Sequence, residues 1–270
     1  MNANRANRSP LSASILALGV IGPGFDDWAA ARAVLAGDAP WRCESTRLPI
    51  PGLLPPAERR RVGAVVKLAI GVGMQAVTAA GADAAQLATV FASAGGDGAN
   101  CHAICETLAG NDRMISPTRF HNSVNNAASG YWGIAAGAMA SSTIISAYDG
   151  SFAAGLIEAL ALAHSLQQPV LLVVYDHPYP EPLAATRKLL DAFGVALLLD
   201  PVATDGPRVH IEGLTTDASD VLPDAALDAV RSGIPAARCL PLLALLSQGR
   251  SGRVVLDYLD ETRLAVEIGQ

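Results

Sequence analysis

Charged residues are scarce in this sequence, and this scarcity excludes several classes of protein. Asp, Glu, Lys and Arg make up 16% of the 270 residues, and the formal net charge at pH 7 is −6. The longest basic run is Arg59-Arg60-Arg61, so a nucleic-acid-binding surface, which needs clustered basic residues, is not expected. Hydrophobic residues make up 51%, which predicts a folded core and some apolar surface for a partner.

Cysteine and histidine are also sparse, and their spacing does not favour a metal site. The four cysteines (Cys43, Cys101, Cys105 and Cys239) are scattered, which predicts reduced thiols in a cytoplasmic protein rather than a disulfide framework. Cys101 and Cys105 lie one turn apart on a predicted helix, where buried or pocket-lining thiols are expected. The five histidines lack the H-x-x-x-H and H-E-x-x-H spacings, so we predict neither a metal nor another cofactor.

Apolar runs of membrane-spanning length are missing as well. Residues 62–82 are apolar but carry a lysine and four glycines, which favours a buried helix over a membrane span. The N-terminus resembles a signal peptide because Arg5 and Arg8 precede an apolar stretch. However, Asp26-Asp27 precede any cleavage site, so a first strand over residues 13–20 is the preferred interpretation.

Alternating apolar strands and alanine-rich helices predict an α/β protein. We predict strands at 13–20, 87–94, 142–146, 170–175, 195–199, 253–258 and 262–268, and helices at 26–36, 55–81, 99–109, 125–137, from 151 onward, 183–193, 225–231 and 241–248. Residues 113–124 are predicted to form a loop, and 204–224 a polar stretch. We expect one domain over 1–270, with a main unit (11–201) and a short C-terminal extension (202–270) packed on it.

The stretch ISAYDGSFAAGLIEALAL, residues 145–162, has the order strand, small-residue turn, helix. Enzymes use this geometry to expose a reactive cysteine or serine at a helix N-terminus. Here the bend carries Tyr148 and then Asp149. A serine hydrolase with Ser151 as nucleophile is a weaker alternative, because a hydrolase elbow requires a small residue where Asp149 stands. Its partners would be Asp176-His177, which are adjacent in sequence and cannot easily take separate roles.

Residues 116–160, SPTRFHNSVNNAASGYWGIAAGAMASSTIISAYDGSFAAGLIEAL, resemble the N-terminal half of the β-ketoacyl synthases. That family has a Ser-Pro…Phe…Asn…Ala-Gly…Ser-Ile…Gly run, followed by a strand that ends in Ala-Cys-Ala/Ser-Ser. The residues that fit the run are Ser116-Pro117, Phe120, Asn125, Ser129-Gly130, Ile134 and Gly137. Flanking segments extend the resemblance over about 11–201. It implies a thiolase-like fold, mainly the first half, with a shortened C-terminal portion.

The sequence departs from the family pattern at the residues that carry catalysis. When Ser146-Ala147 is placed on the family's Thr-Ala, Tyr148 stands where the nucleophilic cysteine belongs. A phenol with a pKa of about 10 cannot replace a thiolate in acyl transfer at neutral pH. The family's histidine segments, His-Gly-Thr-Gly-Thr and Asn-x-Phe-Gly-Phe-Gly, do not occur, and His210 is the single histidine after residue 201. We therefore predict no catalytic residue.

This combination resembles the chain length factors, cysteine-less homologues that accompany an active ketosynthase in type II polyketide and aryl polyene pathways. The resemblance implies a heterodimer with a full-length, cysteine-bearing β-ketoacyl synthase, an indirect relation to an acyl carrier protein, and a role in polyketide or fatty-acid-type biosynthesis. Two alternatives stay open. The chain could serve purely as a stabilising partner, or it could decarboxylate a malonyl-carrier substrate.

The resemblance also implies two sets of site residues. By analogy with the family's dimers, the strand that leads to Tyr148 pairs antiparallel with its counterpart in the partner; the interface candidates are Ser142, Thr143, Ile144 and Ile145. In chain length factors, bulky residues on the helix after the glycine turn gate the acyl tunnel; the channel candidates are Cys101, His102, Cys105, Leu108 and Phe120. Core packing is the alternative explanation of the apolar stripe on this helix.

Overall fold

The computed structural model describes residues 11–270. Within this range eight strands form one mixed sheet, β1 (Ser12–Ile21), β2 (Ala88–Ala92), β3 (Ser142–Ile145), β4 (Val170–Asp176), β5 (Phe193–Asp200), β6 (Arg208–Thr215), β7 (Gly252–Asp257) and β8 (Arg263–Gly269). The strand order is β3-β2-β4-β5-β1-β6-β8-β7. β2 is parallel to β3 and β4, and the remaining pairs are antiparallel. Arg5 and Arg8 of the signal-peptide-like pattern lie outside the described residues.

Ten α-helices connect these strands in residues 11–270, α1 (Trp28–Ala36), α2 (Pro56–Arg59), α3 (Ala64–Ala80), α4 (Gly98–Ala109), α5 (Pro117–His121), α6 (Ala127–Ala136), α7 (Ser151–Leu166), α8 (Leu183–Thr186), α9 (Ala225–Gly233) and α10 (Leu240–Ser247). Two 3₁₀ turns cover Tyr148–Gly150 and Pro235–Cys239. The α1 boundaries follow from local chemistry: Asp27 accepts the Ala30 N–H, and Gly37 adopts the left-handed conformation. None of these helices has the length and apolar character to cross a membrane.

The sheet is covered by helices on both faces. α3 and α6 pack on one face, and α7 and α10 lie in the cluster on the other face. Successive residues of β4 alternate between the two clusters: Leu171 and Val173 face α3, whereas Leu172 and Val174 face α7. Burial on both faces explains why this strand is a continuous apolar run in the sequence.

The strands after residue 201 extend the same sheet. β6 pairs with β1 only over Ser12–Ser14, and β8 and β7 then follow. Side chains of β7 and β8, such as Leu256 and Val266, belong to the same buried cluster as α7 and α10. This packing brings the β7–β8 connection close to the turn that precedes α7. The division of the chain at residue 201 stays a prediction.

Two boundaries predicted in the first half of the chain are wrong, one because of contacts distant in sequence and one because of a local helix start. The predicted helix over 55–81 is interrupted between α2 and α3. Gly63 lies against the Asp97 carboxylate, where a Cβ would collide, and the Arg61 carbonyl accepts from the Asn122 amide at 2.8 Å. The predicted loop over 113–124 contains α5, which begins at Pro117, a residue that favours the first helical position.

Two further expectations near the C-terminus are also corrected. The predicted helix over 183–193 is reduced to the four residues of α8, because Arg187 turns away to bind Asp149 at 2.7 Å. The predicted polar stretch over 204–224 contains β6, whose pairing with β8 is set by the fold. Only Val209 of this strand is fully buried, so the apolar periodicity that marks a strand in sequence is weak.

Candidate functional site

The strand, turn and helix expected around residue 148 are present, and the turn presents the Tyr148 side chain. Tyr148 has a φ of +50°, a left-handed conformation that bulky residues rarely adopt. Ser151 holds the turn in place: its Oγ donates to the Tyr148 carbonyl at 2.8 Å and accepts the Ala147 N–H at 3.0 Å. Gly150 lies against the Tyr258 carbonyl and leaves no room for a Cβ.

One face of the Tyr148 ring is covered by Arg187. The guanidinium carbon lies 3.5 Å from the ring centroid, a cation–π arrangement, and the side chain also donates to Asp149 at 2.7 Å. Burial alone would lower the pKa of Arg187, but hydrogen bonds to Asp149 and Tyr179 outweigh it and raise the pKa. Tyr148 is 63% exposed. Its ring is held by a guanidinium, a permanent cation that cannot serve as a base.

The hydrolase alternative is wrong, because its residues have other partners. Ser151 is fully buried, and its Oγ is engaged by the turn backbone. Asp176 accepts from Ser93 and from the Ala94 N–H. The His177 ring nitrogen Nδ1 lies 3.0 Å from the Pro178 carbonyl. No Ser-His-Asp relay is assembled at Ser151 in the described part of the chain.

Asp176 fixes the glycine turn that follows β2. It is fully buried at the end of β4, and burial raises its pKa to about 7 despite hydrogen bonds from Ala94 and Ser93. Ser93 Oγ also accepts the Gly96 N–H at 3.0 Å. The Tyr179 ring lies directly on the turn, where a Cβ on either Gly95 or Gly98 would collide with it. Sequence reasoning missed this role of Asp176, although its place at the end of an apolar strand was a usable signal.

A network of ion pairs joins the Tyr148 turn to the C-terminal strands. Asp149 binds Arg238 at 3.0 Å, and Arg238 binds Asp257 at 3.0 Å. Asp257 also binds Arg231 at 3.3 Å and Arg263 at 3.5 Å. The network borders a cavity of about 280 Å³ beside the turn. No sequence pattern indicates these pairs, because most of the partners lie tens of residues apart.

The channel candidates on α4 are not part of the core. Only Asn100 of this helix is buried, and its amide donates to the Arg119 carbonyl of α5 at 2.9 Å. Cys101, Cys105 and Leu108 are exposed, so the expectation of buried thiols is wrong for Cys101 and Cys105. The exposed stripe also removes the core-packing explanation. The apolar face of this twelve-residue helix is therefore exposed to solvent in the chain.

The other two channel candidates differ in exposure, because His102 is half-buried and Phe120 is exposed. His102 Nε2 approaches the Glu106 carboxylate at 3.3 Å, and Phe120 on α5 is exposed. Partial burial and the neighbouring Cys105 raise the pKa of the Cys101 thiol. Cys101 is therefore a weaker nucleophile than an ordinary cysteine at neutral pH.

The four interface candidates form the end strand of the sheet. β3 pairs with β2 on one side only. The carbonyls of Ser141 and Ile145 accept from β2, so by strand alternation the backbone groups of Ser142 and Ile144 point to the free edge. The residues of this strand are exposed or half-buried.

The strand order β3-β2-β4-β5-β1 within the eight-stranded sheet, the two helical layers and the turn before α7 define a thiolase-like fold. The family model for the β-ketoacyl synthase N-terminal domain matches residues 28–251. The chain therefore belongs to the β-ketoacyl synthase family. Among curated proteins none matches the sequence significantly.

Several solved structures share this fold. A ketosynthase (ApeO) in complex with its chain length factor (ApeC) from Xenorhabdus doucetiae matches at 24% identity and a TM-score of 0.71, over 95% of this chain and 99% of that chain. The ishigamide ketosynthase/chain length factor matches at 14% and 0.70, over 95% and 98%. A β-ketoacyl synthase from Burkholderia phymatum STM815 matches at 13% and 0.62, over 90% and 71%. Identities this low establish the fold alone.

Proposed function

We propose that this chain is a non-catalytic ketosynthase-like subunit, a chain length factor, which pairs with an active β-ketoacyl synthase and shapes its acyl channel. One observation supports the proposal: Tyr148 lies on the turn between β3 and α7, with a left-handed φ and Arg187 against its ring, at the bend where the sequence pattern aligns with the family's nucleophile. A phenol beside a guanidinium lacks the basic partner that would activate it for attack on a thioester.

The free edge of β3 supports the pairing with a partner. An end strand with unpaired backbone groups tends to add another strand unless it is protected. Ser142 and Ile144 direct their groups outward without a flanking proline or lysine. A ketosynthase contributes an equivalent strand, and antiparallel addition would join the two sheets. Two neighbouring structures are described as a ketosynthase with a chain length factor, which supports a ketosynthase as the partner.

The exposed face of α4 supports the channel role. Cys101, Cys105 and Leu108 form an apolar stripe that the described chain leaves uncovered. A partner subunit that covers it would enclose an apolar space between the two proteins, and such a space favours an acyl chain by about 0.8 kcal/mol per buried methylene. We place the protein in the cytoplasm, in a polyketide, aryl polyene or fatty-acid-type pathway. Its relation to the acyl carrier protein is indirect, through the ketosynthase partner.

Co-expression with a full-length ketosynthase that retains its cysteine tests the proposal. We expect a stable heterodimer on size-exclusion chromatography, whereas the chain expressed alone self-associates or is recovered poorly. A stable monomer that does not bind the ketosynthase would contradict the proposal. Malonyl-carrier decarboxylation by the chain alone would support the decarboxylase alternative, and a heterodimer whose product lengths do not respond to substitutions on α4 would support a purely stabilising role.

A further inference from the structure

Two exposed apolar side chains flank β3. Met139 lies three residues before the first residue of the strand, and Tyr148 lies three residues after its last residue. Met139 is 96% exposed and follows Gly137, which ends α6 in the left-handed conformation. Met139 lies in the short connection between α6 and β3, and Tyr148 lies on the turn after β3. The two side chains are therefore at opposite ends of the free edge strand, where nothing in the described chain covers their outer faces.

The register of strand addition at this edge determines which partner residues lie opposite Met139 and Tyr148. In a regular antiparallel pair, opposite residues are either both hydrogen-bonded or both non-hydrogen-bonded. This rule allows the pseudo-twofold axis to be centred on any single residue, and the two registers that pair three of the four residues of β3 with its counterpart centre the axis on Thr143 or on Ile144. With the first centre Met139 lies opposite the partner position that corresponds to 147, and with the second it lies opposite the position that corresponds to 149.

Both registers thus place Met139 beside the turn of the partner that corresponds to residue 148. We infer that Met139 reaches the nucleophile turn of the ketosynthase partner and forms part of the wall of its acyl-binding site. This inference rests on the proposed function, because that function supplies a partner with a cysteine at the corresponding turn. Contacts across a twofold interface are reciprocal, so Tyr148 meets the partner's counterpart of Met139.

The chemistry of the two side chains fits these roles. Methionine is unbranched and flexible, so its thioether adapts to an apolar space whose occupant changes in length. Tyr148 is rigid, since Ser151 holds its backbone and Arg187 holds its ring. A preorganised tyrosine loses little conformational entropy on association, which makes it a suitable interface anchor. Tyr148 therefore supplies an interface anchor, and Met139 supplies part of the acyl-binding wall.

Site-specific photo-crosslinking in the heterodimer tests this inference. A diazirine amino acid at position 139 is compared with the same amino acid at position 214. Leu214 is also exposed, but it lies on β6, in the half of the sheet away from β3. We expect position 139 to crosslink to the partner peptide that carries the nucleophilic cysteine, and position 214 not to. Crosslinks from 139 to other peptides of an intact heterodimer overturn this inference alone, whereas failure to form any heterodimer overturns the proposed function with it.

Kinetics of the heterodimer supply a second readout. Replacing Met139 by Ala removes most of the side chain without affecting the core, because the residue is almost fully exposed in the chain. We expect the KM for the acyl-carrier substrate to rise several-fold with kcat little changed, and Met139→Leu to restore it. Leu214→Ala is the matched control and should leave both constants unchanged. An unaltered KM in Met139→Ala contradicts a place for Met139 in the acyl-binding wall.

Discussion

The guanidinium carbon of Arg187 lies 3.5 Å above the centre of the Tyr148 ring. The contact depends on the ring and not on its hydroxyl. Tyr148→Phe should therefore keep the cation–π pair and leave the condensation rate of the partner within a few-fold. Tyr148→Cys should not create activity, since Arg187 cannot act as a base. Both variants are assayed as heterodimers with radiolabelled malonyl-carrier substrate, and a large loss in Tyr148→Phe would revive the decarboxylase alternative.

The edge strand gives a prediction that separates assembly from folding. Proline at 144 removes an N–H that points to the free edge, so Ile144→Pro should abolish the heterodimer while the chain stays folded. Ile145→Pro is the matched comparison. The Ile145 carbonyl bonds to β2, so its N–H also faces β2 in the parallel ladder, and this proline should destabilise the chain itself. Circular dichroism reports folding, and co-purification reports assembly. Normal assembly of Ile144→Pro would exclude β3 as the interface strand.

Asp257 lies at the centre of the ion pairs that join the Tyr148 turn to β7 and β8. Asp257→Asn removes one of the two carboxylates that bind each of the largely buried guanidinium groups of Arg231 and Arg238. Because Asp228 and Asp149 remain as partners, we expect a loss of about 2 kcal/mol in the free energy of unfolding. Asp217→Asn is the control, because that carboxylate pairs with Arg253 on the surface, where ion pairs contribute little. Urea denaturation of both variants measures the difference. Equal midpoints would mean that the network does not hold the C-terminal strands.

Asp176 should make stability depend on pH in an unusual direction. Burial raises its pKa from 3.8 to about 7, so the fold favours the protonated carboxyl. The stabilisation is fully present below pH 4, is lost as the pH rises to about 7, and reaches about 4 kcal/mol at most. Asp176→Asn removes this titration but keeps an acceptor for the Ala94 N–H. Urea melts at pH 5 and pH 8 should therefore differ less for the variant, and identical pH dependence would disprove the role of Asp176.

Leu108 should influence product length if α4 borders the acyl channel. Leu108→Trp narrows the apolar space and should shorten the products, whereas Leu108→Ala should lengthen them by one elongation unit or more. Leu166→Ala, on another exposed apolar residue at the end of α7, is the control. Mass spectrometry of carrier-bound products from the co-purified pair gives the distribution. A lower yield with an unchanged distribution for both Leu108 variants would move the channel role away from α4.

The sequence by itself determined the elements whose causes are local. The predicted helix over 26–36 corresponds to α1, whose ends are capped by Asp27 and Gly37, and the apolar run at 170–175 identified β4 as a strand. The turn before α7 was also evident, and Tyr148 at its bend was visible once the family pattern was aligned. Caps, turns and strand propensities act over a few residues, so each leaves a readable pattern in the chain.

The tertiary structure alone decided which distant groups meet. Asp97 leaves no room for a Cβ at Gly63, and Arg187 covers one face of the Tyr148 ring. Asp257 forms ion pairs with arginines from three other segments. It also decided that the stripe on α4 is exposed, because an apolar helical face looks the same in sequence whether the chain or a partner covers it. Such contacts depend on the path of the whole chain, and no short-range preference of the residues involved encodes that path.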